Sequence, residues 1–180
     1  MKKYRIHLLV VAWIVAGCIM MAAAKQSGEK MEFSRTTIDL GMVVSDVEKA
    51  LEFYTKALGF TETGSFEVSG PMAGDTGLTD NQPFKVHVLA LGSEPTATKL
   101  KIMRIAEANS KKVDNQYIGS SLGFRYLTIL VSDLTKAMDR LKQHGVAPVK
   151  EPYRLSGPDN YLILVKDPDG NIIELIGPRS

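Results

Sequence analysis

Glu174 lies inside the aliphatic run Ile172-Ile173-Glu174-Leu175-Ile176, directly after the turn cluster Asp167-Pro168-Asp169-Gly170-Asn171. A carboxylate among such neighbours is costly to bury unless a donor or cation balances it. The residues allow two readings. Glu174 faces a cleft, where it can move a proton or hold a metal, or it sits at a solvated strand edge. Of the three histidines, His7 falls in the apolar N-terminal stretch and His144 precedes a glycine, where a helix dipole accounts for it. His87, in FKVHVLAL, is the one placed to line a cleft as ligand or general base. Its phase with Lys85, Leu89 and Leu91 does not say which way it points. Arg104 and Arg125 offer cations for an anionic group or for solvated strand ends. Gly-rich phosphate loops, a nucleophile elbow and metalloprotease spacing are absent from the sequence.

The elements that must hold these residues are written twice. Val44-Ser45-Asp46 returns as Val131-Ser132-Asp133, 87 positions later, and Lys49-Ala50 returns as Lys136-Ala137 at the same offset. Before each Ser-Asp pair runs an alternating strand, with Ile38, Leu40, Met42 and Val44 on one face of the first and Leu127, Ile129 and Val131 on one face of the second. After each pair the spacing predicts a helix. The first, capped by Ser45 or Asp46, buries Val47, Ala50, Leu51, Tyr54 and Leu58; the second buries Leu134, Ala137, Met138 and Leu141. Both helices stop at a glycine, Gly59 or Gly145, suited to a left-handed C-terminal cap. Three further strands are expected in each copy, at about 60–68, 84–91 and 99–106, then at about 146–151, 160–166 and 171–177. The Gly/Pro-rich stretch 69–82 reads as a loop with the length of a lid, or as a tolerated insertion. Residues 107–121 join the copies. In strand phase, Asp39 and Tyr126 point away from the helices, and Thr37, Gly41 and Val43 beside Asp39 suit a cavity wall better than a packed core. The fold class is therefore α+β, with two βαβββ modules forming an open, barrel-like cleft.

The first 24 residues read as an export signal, with Lys2, Lys3 and Arg5 before an apolar stretch from Leu8 to Ala24. Ala22-Ala23-Ala24 suits ordinary cleavage, whereas Val15-Ala16-Gly17-Cys18 suits a lipoprotein anchored through Cys18. Either places the remainder outside the cytoplasm, periplasmic or secreted, with membrane contact only through the signal or the lipid. The single cysteine lies in that segment, so the rest of the chain has no disulfide, thiolate nucleophile or Cys-ligated metal. Three of the 22 basic residues, and none of the 20 acidic ones, belong to the signal, which leaves a near-neutral domain. Without basic runs or aromatic-basic interleaving, nucleic acid is not an expected partner. Residues 25–34 form a polar linker and 35–178 one domain, with modules at about 35–106 and 122–178.

The duplicated unit, with VSD opening each helix, FYTKALGF after the first and DPDGNIIEL near the end, resembles the vicinal oxygen chelate superfamily. That group takes in glyoxalase I, extradiol dioxygenases, fosfomycin-resistance enzymes and bleomycin-binding proteins. The resemblance implies one cleft, formed within a chain or between two, so a homodimer is among the expected assemblies. Enzymatic members hold a divalent metal there through His and Glu from the first and last strands of each module. The first ligand, seven positions before the Asp of VSD, falls on Asp39 in one copy and Tyr126 in the other. The Glu positions fall on Lys101, or two residues on at Met103, and on Glu174. Only Glu174 matches the metal-binding pattern. A divalent metal therefore remains a candidate cofactor, but Asp39, Lys101 and Tyr126 offer no imidazole for it, and the Lys101 ammonium supplies the positive charge instead. Two functions follow from the resemblance. One is an enzyme of the glyoxalase, lyase or dioxygenase kind, in which Glu174 moves a proton and Tyr126 donates to a developing oxyanion. The other is a metal-free binder of a small oxygenated molecule, anchored by Asp39, Lys101 and His87.

Overall fold

The computed structural model describes residues 33–157 and 159–180, so the stretch 1–24 expected to act as an export signal, with Cys18, lies outside the described residues. Residues Thr37–Ser180 form one compact unit. Strand β1 (Asp39–Val43) leads into helix α1 (Val47–Glu52), which continues as a π-helical segment, Phe53–Ala57. Strand β2 (Thr61–Val68), helix α2 (Gly70–Asp75), β3 (Phe84–Ala90) and β4 (Lys99–Met103) complete the first module. The second runs β5 (Tyr126–Leu130), α3 (Leu134–Gln143), β6 (Tyr153–Arg154), β7 (Asn160–Lys166) and β8 (Ile172–Pro178). Each module is an open four-stranded sheet, ordered β1-β4-β3-β2 and β5-β8-β7-β6, with its first strand parallel to its last.

Asp46, in extended conformation, caps α1 by accepting from the Lys49 amide at 3.1 Å, and Asp133 caps α3 through the amides of Thr135 and Lys136. Gly59 and Gly145 follow the helices with φ of 86° and 71°, a region closed to most side chains. Arg140 of α3 reaches across to the end of the first helix, donating to the carbonyls of Ala57 at 3.0 Å and Leu58 at 3.1 Å. The modules thus meet through their helices. Leu40, Met42, Val44, Leu100 and Ile102 from one sheet share a single core with Ile129, Ile163, Val165, Ile173 and Leu175 from the other.

Two expectations about local structure need correction. The stretch 69–82 contains α2, capped by Ser69 and started by Pro71. Its glycines serve close packing, since a Cβ on Gly70 or Gly74 would strike Asn81. Ala73 of α2 is fully buried with Val68, Phe84 and Val86, so this segment roofs one end of sheet one. In the second module, residues 146–151 form no strand, and pairing is confined to Tyr153 and Arg154 against β7. Pro148 and Pro152 carry no amide hydrogen and interrupt the ladder; between them only the Val149 amide reaches β7, at the Leu164 carbonyl.

The turn 167–171 does more than join strands. Asp167, 6% exposed, accepts from the Tyr54 hydroxyl at 3.0 Å, from the amides of Asp169 and Asn171, and from the Asn171 side chain. Burial and the Asp167 charge push the Tyr54 phenol well above its ordinary pKa, so it stays a donor. Asp169 accepts from the Ser45 amide at 2.9 Å and hydroxyl at 2.5 Å, and pairs with Lys112 at 3.5 Å. Partial burial acts to raise the Asp169 pKa, but the Ser45 hydrogen bonds and the Lys112 charge outweigh it and hold the carboxyl below its usual range. A depressed folded-state pKa stabilises above the unfolded value, about 3.9, and that stabilisation disappears as pH falls through the folded value. Thermal unfolding followed from about pH 6 to pH 2 should therefore steepen below about pH 4. In Asp169→Asn that acid limb should flatten, and an unchanged limb would contradict the assignment.

Candidate functional site

The faces turned away from the shared core carry the candidate residues. In sheet one, β1–β4 register sets Asp39, Gly41 and Val43 beside Lys99, Lys101 and Met103, and β3 adds Val86, Val88 and Ala90. In sheet two, Tyr126, Thr128 and Leu130 stand beside Ile172, Glu174 and Ile176, with Leu162, Leu164 and Lys166 from β7.

Lys101 Nζ lies 3.1 Å from Asp39 Oδ2, with side chains 36% and 15% exposed. Lys101 and Met103 share a strand phase, so a slip of two would keep the face; of the two, Lys101 pairs with Asp39. Glu174 takes its hydrogen bond from the Thr128 hydroxyl at 2.9 Å, directly across the β5–β8 pair. Tyr126 is on the same face and half exposed. The four positions therefore form two half-sites, Asp39–Lys101 on one sheet and Tyr126–Thr128–Glu174 on the other.

Thr128 is a member that the sequence reading missed. The signal was present: it follows Tyr126 by two in an alternating strand and so shares its face. His87 belongs to neither half-site. Its register partners Ile102 and Ser65 place it on the opposite face of sheet one, where its ring nitrogen Nδ1 lies 2.8 Å from Glu62. Arg125 is committed to the connecting segment, donating to the Asp114 and Ile118 carbonyls and to Asn115. His144 caps the end of α3, its amide donating to the Leu141 carbonyl.

Among the described residues, no three His, Cys, Asp or Glu side chains gather around a point where one ion could be held. A shallow cavity of about 390 Å³ opens at the seam between modules, beside Leu58, Leu91, Leu130 and Arg140. None of Asp39, Lys101, Tyr126 and Glu174 lines it. The chemistry of the set is that of hydrogen bonding and charge: an ammonium beside a carboxylate, a phenol, and a second carboxylate partly satisfied by a hydroxyl.

The sequence is 25% identical over 137 residues to lactoylglutathione lyase of Escherichia coli O157:H7, an alignment spanning 76% of this chain and 88% of that enzyme. It is 26% identical over 133 residues to a probable lactoylglutathione lyase of Vibrio cholerae, spanning 74% of this chain and 83% of the relative. Among solved structures, a glyoxalase-family protein from Bacillus cereus superposes with a TM-score of 0.68 at 20% identity, covering 83% of this chain and 99% of the other. Glyoxalase I from Zea mays superposes at 0.60 and 19% identity, covering 80% of this chain and 45% of the maize chain. These structural likenesses agree with the paired βαβββ sheets. Residues 36–175 match the Glyoxalase/Bleomycin resistance protein/Dioxygenase superfamily, and the chain belongs to it.

Proposed function

We propose that this chain is an exported member of the superfamily that binds a small oxygenated molecule on the outer faces of its sheets without a divalent metal. The supporting observation is the Lys101–Asp39 pair at 3.1 Å. A divalent ion at those positions would face a protonated amine in place of a ligand, and would have to compete with it for the one carboxylate. Lys101, Tyr126 and the Thr128–Glu174 pair supply donors and acceptors for an oxygen-rich ligand. Val43, Val88, Leu162 and Leu164 supply apolar wall. Export rests on the basic start and apolar stretch of the first 24 residues.

The second reading, a metal-dependent lyase or dioxygenase using Glu174, is favoured by the similarity to proteins called lactoylglutathione lyases. Glu174→Gln separates the two. In a binder it changes affinity, by about tenfold for the loss of one charge-assisted hydrogen bond, measured by calorimetry with a bound ligand found by screening oxygenated metabolites. In an enzyme it removes turnover by a factor of about 10² to 10⁴ while affinity holds. Metal analysis of protein purified without added ions bears directly on the proposal: one tightly held ion per chain would overturn it.

A further inference from the structure

We propose that the cavity at the seam between the modules is a second binding site, which takes a medium-chain aliphatic monocarboxylate with its charged end at Arg140. The inference does not rest on the outer-face reading above, because none of Asp39, Lys101, Tyr126 and Glu174 lines this cavity.

Arg140 carries the argument. Its Nε and Nη2 donate to the Ala57 and Leu58 carbonyls, which are neutral groups at the end of the first helix. A guanidinium has more N–H donors than two carbonyls take up. Among the described residues Arg140 has no carboxylate partner. Its charge is thus half-buried at the cavity wall without a counter-ion, a condition that an incoming anion relieves. Gly59 keeps the approach clear. A Cβ there would lie 3.5 Å from Arg140 Cζ, so a larger residue would cover part of the guanidinium that glycine leaves bare.

The rest of the lining sets the class of ligand. Lys136 Nζ lies 3.3 Å from Asp133, whose oxygens also accept from the Thr135 and Lys136 amides and the Ser180 hydroxyl. Lys136 and Asp133 cancel, and the cavity is left with the single positive charge of Arg140. That charge suits a monoanion, whereas a dianion would meet the Asp133 carboxylate on the same rim. The remaining wall is apolar. Leu58, Ile129 and Ala137 are buried, Leu91 is half-buried, and Leu130 beside them is 77% exposed. A hydrocarbon tail laid over Leu91 and Leu130 removes that surface from water. At about 390 Å³ the cavity lies at the small end of ligand sites, with room for one short chain.

Octanoate is the probe, titrated calorimetrically into the protein as the cell processes it. It should bind at about one per chain and raise the melting temperature. Octylamine, with the same tail and the opposite charge, and octanol, with none, should each bind about tenfold more weakly or worse. Arg140→Gln, which keeps amide donors for the helix-end carbonyls, should weaken octanoate by about tenfold or more. Ser132→Glu carries the test if that variant fails to fold: Ser132 is exposed and lines the cavity, and a carboxylate there repels the anion. Lys101→Gln should leave octanoate affinity at the wild-type value. A loss at Lys101→Gln instead of at Arg140→Gln would put the acid on the outer sheet faces, which overturns this inference and agrees with the function proposed above. No octanoate binding, or equal binding of octylamine, would overturn it outright.

Discussion

Asp167→Ala should cost about 3–5 kcal/mol of stability, because it leaves several buried donors without an acceptor at about 1–3 kcal/mol each. It should lower the melting temperature by about 10 °C for a chain of this size. The carboxylate is 6% exposed and gathers four donors, so its loss leaves the Tyr54 hydroxyl, the Asn171 amide and the Asn171 side chain to find other partners in a closed interior. That is a large share of the roughly 5–15 kcal/mol available to a natural domain. Tyr54→Phe separates the bond from the ring. It keeps the edge-to-face contacts with Phe53 at 5.1 Å and Phe60 at 5.8 Å, and should cost only about 1–2 kcal/mol. Denaturant unfolding gives both values. An Asp167→Ala protein within about 1 kcal/mol of wild type would mean that the network contributes little.

Lys101→Glu combined with Tyr126→His should turn a chain without a tight ion into one that keeps about one divalent ion per chain through gel filtration. The substitutions replace the ammonium by a carboxylate and supply the missing imidazole, so Asp39 and Glu174 gain one further oxygen donor and the nitrogen donor that zinc or nickel prefers. Elemental analysis after dialysis against trace metal is the measurement. Wild type holding as much ion as the double variant would defeat the proposal that Lys101 stands in for a metal. If neither holds an ion, the two half-sites do not come together around one ion.

The repeat carried most of the fold into view. The VSD pair announces two strand-to-helix turns, and Leu40, Met42 and Val44 with Leu127, Ile129 and Val131 fix which strand faces go inward. That phase puts Asp39 and Tyr126 opposite the helix-facing residues, and the register places them on the faces turned away from the shared core. His87 resisted because its strand is apolar on both faces: Val86 and Leu89 are both buried, one under α2 and the other in the main core. Periodicity fails where both sides are covered. The short helix at 70–75 was hidden by glycine and proline, which read as loop until their contacts with Asn81 are known. Asp167 and Asp169 read as turn formers, since nothing local reveals that their acceptors serve Tyr54 and Ser45 from the other module.

Those last two contacts bear on when the molecule can finish folding. Ser45 waits for an acceptor 124 residues further along, and Tyr54 for one 113 residues away. Pairings so distant in the chain must close a long loop before they return any energy. The first module therefore keeps Ser45 and Tyr54 without these acceptors until the turn that precedes β8 has been made.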